Sequence, residues 1–180
     1  MNILYFVVQQ TMFFAIPLLV VALGAMFAER SGVINIAMEG IMVMGAFAGI
    51  LFINTFENTL SGQSFMILAI LISGIAGGVF SLLHAFASVN LKADQTISGT
   101  ALNLFAPAFA IFVARMVQGK QQISFLDTFH IKKIPLLGDI PVIGDMFFKH
   151  TYLTTFLGIL ILIAAAIVIN KTKFGLRLRA

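Results

Sequence analysis

The side chain with the clearest chemical potential is Glu39, an acid inside an apolar stretch. It lies seven positions after Gly32, about 10 Å along a helix that rises 1.5 Å per residue. An acid near the centre of a membrane span costs roughly 2.5–3.5 kcal/mol, so we expect it to face a bundle interior or a water-filled cavity and to have a partner. Asn35, one helical turn earlier, is the candidate partner. Glu39 therefore lines or gates a solute path, or it binds backbone groups of a neighbouring helix, or it is protonated.

A second polar face is predicted on a later helix. Thr96, Thr100, Asn103 and Pro107 recur at helical spacing and share one side. Pro107 has no N–H for the carbonyl of Asn103, so this face combines a free carbonyl with an amide side chain. Proline-containing helices often line binding sites at bilayer depth. The same residues also suit ordinary polar packing between helices, and the two interpretations stay open.

The sequence has no complete motif for phosphate binding and no residue spacing typical of a metal site. Gly119 and Lys120 resemble the end of a phosphate-binding loop, but the required first glycine is replaced by Ala114. The histidines lie in separate segments without metal-ligand spacing, and the chain has no cysteine. We therefore expect no catalytic residue, no metal and no cofactor in this chain, and we place its His84 at the membrane interface near a helix end.

The elements that must position these side chains follow from the composition. Of the 180 residues 60% are apolar and 10% are charged, against about 45–50% and about 25% in soluble domains. A soluble domain of this length could not hide so much apolar surface. The chain is therefore predicted to be an all-α, polytopic membrane protein, and its net charge of +4 serves topology and contact with membrane lipid rather than nucleic acid.

Five segments are long and apolar enough to cross a bilayer. They are residues 5–28, 33–56, 64–87, 96–114 and 151–170. Residues 115–150 form a long polar insert with a tandem repeat over 134–145. Its proline and Gly-Asp pairs favour bends, so the insert lies on the membrane surface or caps the bundle, or it simply connects two spans. Two glycine pairs, Gly45 with Gly49 and Gly74 with Gly78, predict close helix packing.

Orientation is predicted from the basic residues. With the C-terminus inside, six of them are cytoplasmic: Arg30, Lys92, Lys171, Lys173, Arg177 and Arg179. Five are then outside: Arg115, Lys120, Lys132, Lys133 and Lys149. Four of the inside charges directly follow the last span, where they weigh most. We therefore expect the N-terminus outside and the C-terminus in the cytoplasm.

Three stretches together resemble one family of membrane proteins. Residues 27–40 (FAERSGVINIAMEG), 91–103 (LKADQTISGTALN) and 171–180 (KTKFGLRLRA) are similar to two cytoplasmic turns and the start of the cytoplasmic coupling loop of bacterial ABC-transporter permeases. The similarity is to the simple-sugar and branched-chain amino-acid superfamily, and most of all to its nucleoside-uptake members. It extends over essentially the whole chain.

The resemblance implies a permease subunit in the bacterial plasma membrane that moves nucleosides or related small polar solutes such as simple sugars. Its implied partners are a second permease subunit, separate cytoplasmic ATPase subunits and an extracytoplasmic solute-binding lipoprotein. By position, the implied ATPase-coupling residues are Phe174, Gly175, Arg177 and Arg179. Asn35, Glu39 and Asn103 match characteristic family positions, and with Thr100 they are the solute-pathway candidates. A basic turn leaving the membrane suits docking on a partner, and equally suits topogenic anchoring.

Family permeases are substantially longer than 180 residues, so the resemblance implies that residues 1–180 are the N-terminal part of one permease transmembrane domain. Two other interpretations stay open. A secondary transporter or channel could use Glu39 as a proton- or cation-coupling group. A truncated fragment could associate with partners and transport nothing.

Overall fold

The computed structural model describes residues 3–32, 34–125, 129–133 and 144–179. Within these ranges five helices are long and apolar enough to cross a membrane. This confirms the predicted all-α polytopic class. The chain divides into two compact units. Unit 1 comprises residues 1–31 and 128–180, and unit 2 comprises residues 32–127.

Six helices and two short strands make up the described structure. Unit 1 contains α1 (Ile3–Arg30), β1 (His130–Lys133), β2 (Lys149–Tyr152), α5 (Leu153–Lys171) and α6 (Lys173–Arg179). Unit 2 contains α2 (Met38–Phe56), α3 (Gln63–Ala85) and α4 (Gln95–Gln118). A π-helical turn follows α3 at Phe86–Asn90 and another precedes β2 at Gly144–Phe148. Most of the tandem repeat, residues 134–143, lies outside the described residues.

In unit 2 the helices approach one another over small residues. A methyl group at Gly45 would lie 2.9 Å from the carbonyl oxygen of Ser73 on α3, so only glycine allows this α2–α3 crossing. Gly49 likewise lies against the side chain of Ser73. The first predicted glycine pair therefore forms a packing face. By contrast, no atom lies within 4 Å of a methyl group placed at Gly74 or Gly78, and this pair is open in the described part of the chain.

Many large apolar side chains of unit 2 point outward. Ala37 and Ala106 are fully buried, whereas Leu71 and Phe112 are exposed; Phe65 is an exception, a large side chain that is only 1% exposed. A soluble domain would place the large side chains inside, because their burial drives its folding. Hydrocarbon removes that driving force between helices, so small residues can form the helix contacts while many large side chains stay on the outside.

His84 is buried between α3 and α4, and its expected position at the membrane interface stays a prediction. It is 3% exposed, and its Nδ1 lies 2.8 Å from the hydroxyl oxygen of Ser98 on α4. The contact joins the end of α3 to the start of α4. The chain between them is short and ends in an N-cap, where the carboxylate of Asp94 accepts a 2.9 Å hydrogen bond from the N–H of Ile97.

Unit 1 packs α1 against α5 and an antiparallel strand pair. Gly158 on α5 lies against Ile16 so closely that it has no room for a side chain. Gln9 is buried within α1, and its side-chain amide donates a 3.1 Å hydrogen bond to the carbonyl of Lys149. The two strands pair with His130 opposite Tyr152. A buried polar group in a span needs such a partner, so Gln9 fixes β2 to α1.

Candidate functional site

The predicted polar residues converge where the chain enters α2. Residues 34–37 are not helical, and α2 begins at Met38, whereas the sequence predicted a span from residue 33. Backbone groups that leave a helix at membrane depth need other partners. The amide oxygen of Gln95 on α4 supplies one, accepting a 2.8 Å hydrogen bond from the N–H of Ile34. We refer to residues 34–37 as the α2 head.

Asn103 supplies two further partners from the same side of α4. Its amide nitrogen donates a 2.7 Å hydrogen bond to the carbonyl of Ile36, and its amide oxygen accepts one of 2.7 Å from the N–H of Gly40. The side chain thus bridges the end of the α2 head and the first turn of α2. This geometry agrees with the helix-packing interpretation of the polar face of α4.

Two glycines allow the close approach that these bonds require. A methyl group at Gly99 would lie 3.0 Å from the nitrogen of Ala37, and one at Gly40 would lie 2.7 Å from the carbonyl oxygen of Leu102. Gln95, Gly99 and Asn103 follow one another at four-residue intervals, so they form one stripe along α4. The α2 head lies across this stripe.

Asn35 is used locally and does not contact Glu39. Its amide oxygen accepts a 3.1 Å hydrogen bond from the N–H of Ala37, two residues later. Such a bond favours a turn and competes with helix formation. It therefore helps to hold the α2 head out of the helix, and the pairing of Asn35 with Glu39 expected from helical spacing does not form.

Glu39 and Thr100 lie on the outer surface of unit 2. Glu39 is exposed in the first turn of α2, and its carboxylate has no hydrogen bond or ion pair among the described residues. Thr100 is also exposed, and its hydroxyl donates a 2.8 Å bond to the carbonyl of Thr96 within its own helix. These two side chains are thus open to an external ligand or to water, whereas the side chains of Asn35 and Asn103 bind the α2 head.

The sequence pattern did not single out Gln95 or Gly99. Gln95 lies 61 positions from Ile34, which it binds, so no local periodicity relates them. Two signals were available, the family resemblance of residues 91–103 and the four-residue spacing from Gln95 through Gly99 to Asn103, and neither says what covers this face.

A second group of candidates lies at the end of unit 1. The chain bends at Thr172 and continues as α6, which carries Phe174, Gly175 and Arg177. Phe174 and Arg177 are exposed, and Gly175 is buried against the carbonyl oxygens of Val168 and Ile169 on α5. Arg179 belongs to α6, and its side chain lies outside the described residues.

The chemistry available at these two places is binding and contact. Across the described ranges, no group of three His, Asp or Glu side chains is arranged to hold a metal ion. Unit 2 exposes the carboxylate of Glu39 on α2 and the hydroxyl-bearing side chain of Thr100 on α4, and α6 exposes Phe174 and Arg177. The exposed groups of unit 2 suit contact with a small polar solute, and those of α6 suit contact with a protein surface that has acidic or apolar features.

Five apolar helices with small residues between them and large apolar side chains outside define a polytopic α-helical membrane protein. Residues 7–180 match the family described as branched-chain amino acid transport system / permease component, and the chain belongs to this family.

Three relatives illustrate its range. The chain is 42% identical over 180 residues to the guanosine ABC transporter permease protein NupQ of Bacillus subtilis, covering 99% of this chain and 56% of that one. It is 41% identical over 179 residues to the nucleoside ABC transporter permease protein NupC of Lactococcus lactis, with the same coverage. It is 30% identical over 176 residues to the putative glucose ABC transporter permease protein TsgC13 of Haloferax volcanii, covering 92% of this chain and 48% of that one.

The chain thus spans about half the length of these curated relatives. No solved structure matches it.

Proposed function

We propose that the chain forms the N-terminal part of the permease subunit of an ATP-driven importer for nucleosides. The observation that carries the proposal is the identity of 41–42%, over 99% of this chain, to two permease proteins named for guanosine and for nucleosides. The relative named for glucose is less similar, at 30%. Nucleosides are therefore the favoured solute class over simple sugars.

The partners follow from the same relationship. ATP hydrolysis would reside in separate cytoplasmic ATPase subunits, which α6 would contact through Phe174 and Arg177. A second permease subunit would complete the path, and an extracytoplasmic binding lipoprotein would deliver the solute. The position of α6 supports this assignment, because it follows the last described span after the single residue Thr172 and keeps Phe174 57% exposed.

The solute path is proposed to pass the exposed polar face of unit 2. Glu39 and Thr100 would contact water or solute there, while Gln95 and Asn103 hold the α2 head in place. An exposed carboxylate without a partner in the described chain is costly in hydrocarbon, and a hydrated path removes that cost. In the importing cycle, movement of α6 at the ATPase would alternate access to this face.

The proposed orientation places the N-terminus outside and α6 in the cytoplasm. Because the chain has no cysteine, single cysteines can be introduced at Ser61 and at Lys173. A membrane-impermeant maleimide added to intact cells should label position 61, and position 173 only after permeabilisation. Labelling of position 173 in intact cells would contradict the orientation.

Uptake of radiolabelled guanosine tests the function. Deletion of the gene should abolish high-affinity uptake, and the intact gene should restore it. Radiolabelled glucose in the same cells is the matched control and should be unaffected. Loss of glucose uptake with unchanged guanosine uptake would indicate a sugar permease instead. If neither uptake is lost, the proposed function is wrong.

A second candidate function is supported by the exposure of Glu39. A carboxylate facing a hydrated path could bind a proton or cation, as in a secondary transporter. This alternative predicts uptake that depends on an ion gradient and not on ATP.

A further inference from the structure

The junction between α5 and α6 is closed by the side chain of Thr172. This residue has an extended backbone, with φ −111° and ψ 157°, so the helix stops there and starts again at Lys173. The carbonyl of Thr172 accepts a 3.2 Å hydrogen bond from the N–H of Leu176, the first turn of the new helix. A single residue therefore separates a membrane span from the short helix that follows it.

The hydroxyl of Thr172 bonds both helices at once. It donates a 2.6 Å hydrogen bond to the carbonyl of Val168 in the last turn of α5. Its oxygen also accepts a 3.3 Å hydrogen bond from the N–H of Gly175, the third residue of α6, as an N-cap does. A hydroxyl can donate one bond and accept another, which methyl groups cannot.

Gly175 removes the remaining freedom at this junction. A methyl group there would lie 2.5 Å from the carbonyl oxygen of Val168 and closer still to that of Ile169. The backbone of α6 is thus seated directly on the final turn of α5. A helix joined to its neighbour only through an extended residue could change its angle to that neighbour. Here α6 is hydrogen-bonded to α5 through Thr172 and packed against it at Gly175.

We infer that Thr172 is a positioning residue, which makes α5 and α6 move as one rigid body. A force applied to α6 would then be delivered to the span rather than absorbed at the bend. The consequence for transport rests on the proposed function, since it requires an ATPase to move α6. The rigidity itself rests on the hydrogen bonds of Thr172 and the packing of Gly175, and it does not depend on the proposed function.

Spin-label distances between α5 and α6 test whether the two helices move together, independently of transport. Cysteines at Ala164 on α5 and Leu176 on α6, both exposed, can be labelled in the cysteine-free full chain, and pulsed EPR gives their distance distribution. T172V removes both hydrogen bonds at constant shape, T172A repeats this with a smaller side chain, and T172S keeps the hydroxyl. The control is T55V, because the hydroxyl of Thr55 likewise donates a hydrogen bond, of 2.8 Å, to the carbonyl four residues earlier, within α2.

We expect a narrow distribution in wild type, T172S and T55V, and a broad one in T172V or T172A. Loss of a cap of ordinary strength should raise the population of swung conformations roughly fivefold. A distribution as narrow in both T172V and T172A as in wild type would overturn the inference. Using two hydroxyl-free variants keeps the result interpretable when one of them does not fold.

The transport readout is the number of ATP molecules hydrolysed per nucleoside imported by the permease reconstituted with its ATPase. T172V should raise this ratio roughly fivefold while the ATPase continues to turn over, and T172S should restore it. A wild-type ratio in a T172V protein with a broad distribution would overturn the coupling role. If the wild type itself shows no ATP-driven uptake, the proposed function fails, and the EPR result still decides whether Thr172 fixes the junction.

Discussion

The side-chain oxygen of Asn103 and the backbone nitrogen of Gly40 are 2.7 Å apart, and this hydrogen bond joins α4 to the first turn of α2. The two residues are separated by 63 positions in the sequence. The nitrogen of the same side chain binds the carbonyl of Ile36, 67 positions away. One amide therefore satisfies backbone groups on both sides of the point where α2 begins.

Replacing Asn103 by leucine should destabilise the protein by about 2 kcal/mol. N103L removes the partner of the Gly40 N–H and of the Ile36 carbonyl, and backbone groups without a partner are costly at membrane depth. The measurement is Tm in detergent. T100V on the same helix is the control, because the hydroxyl of Thr100 bonds only within its own helix in the described structure. Equal Tm values for the two variants would contradict the clamping role of Asn103.

The two kinds of glycine in unit 2 should respond oppositely to alanine. G40A places a methyl group 2.7 Å from the carbonyl oxygen of Leu102, so it should cost about 1–3 kcal/mol. G74A meets no atom within 4 Å, and alanine favours helices, so stability should stay the same or rise by up to about 1 kcal/mol. Thermal unfolding measures both. A neutral G40A would show that α2 and α4 are further apart than described.

Replacing Glu39 by glutamine should lower nucleoside uptake several-fold without changing Tm. E39Q removes the charge from the exposed face, and no partner in the described chain is lost with it. Uptake rates in cells with matched expression measure the effect. E29Q is the control, because Glu29 is also exposed but lies at the end of α1. Uptake by E39Q equal to that by E29Q would remove Glu39 from the solute path.

Changes in α6 should separate ATP hydrolysis from import. G175A forces α6 away from the carbonyl oxygens of Val168 and Ile169, and R177Q removes an exposed cation. Each should reduce uptake at least several-fold while the ATPase subunits still hydrolyse ATP. G78A is the matched control, since no atom of the described residues lies within 4 Å of a methyl group placed at Gly78. Normal ATP-driven uptake in both variants would remove the docking role of α6.

Hydropathy was sufficient to predict the class and the five spans, because continuous apolar runs of this length have few alternatives. It was not sufficient for the start of α2. Residues 34–37 are apolar enough to continue a helix, but Gln95 and Asn103 bind their backbone instead. Such tertiary hydrogen bonds leave no periodic pattern in the sequence. Because residues 34–37 are not helical, the pairing of Asn35 with Glu39 expected from helical spacing was wrong.

The glycine pairs show the same limit. A GxxxG spacing predicts that two helices can approach, but it does not say which side of a helix is covered. On α3 the glycine at the α2 crossing is Gly77, whose neighbours include Ile41 and Gly45, and the predicted pair Gly74 and Gly78 is open. Only the three-dimensional arrangement distinguishes the two faces.

ATP-driven import is tested by the energy source for nucleoside uptake in membrane vesicles that contain the full-length permease with the proposed ATPase and binding protein. Vanadate arrests ABC-type ATPases, and a protonophore collapses the proton gradient. We predict that ATP-loaded vesicles accumulate guanosine, that vanadate abolishes this uptake and that the protonophore leaves it intact. Uptake driven by a proton gradient in vesicles without ATP would rule out ATP-driven import and favour a secondary transporter.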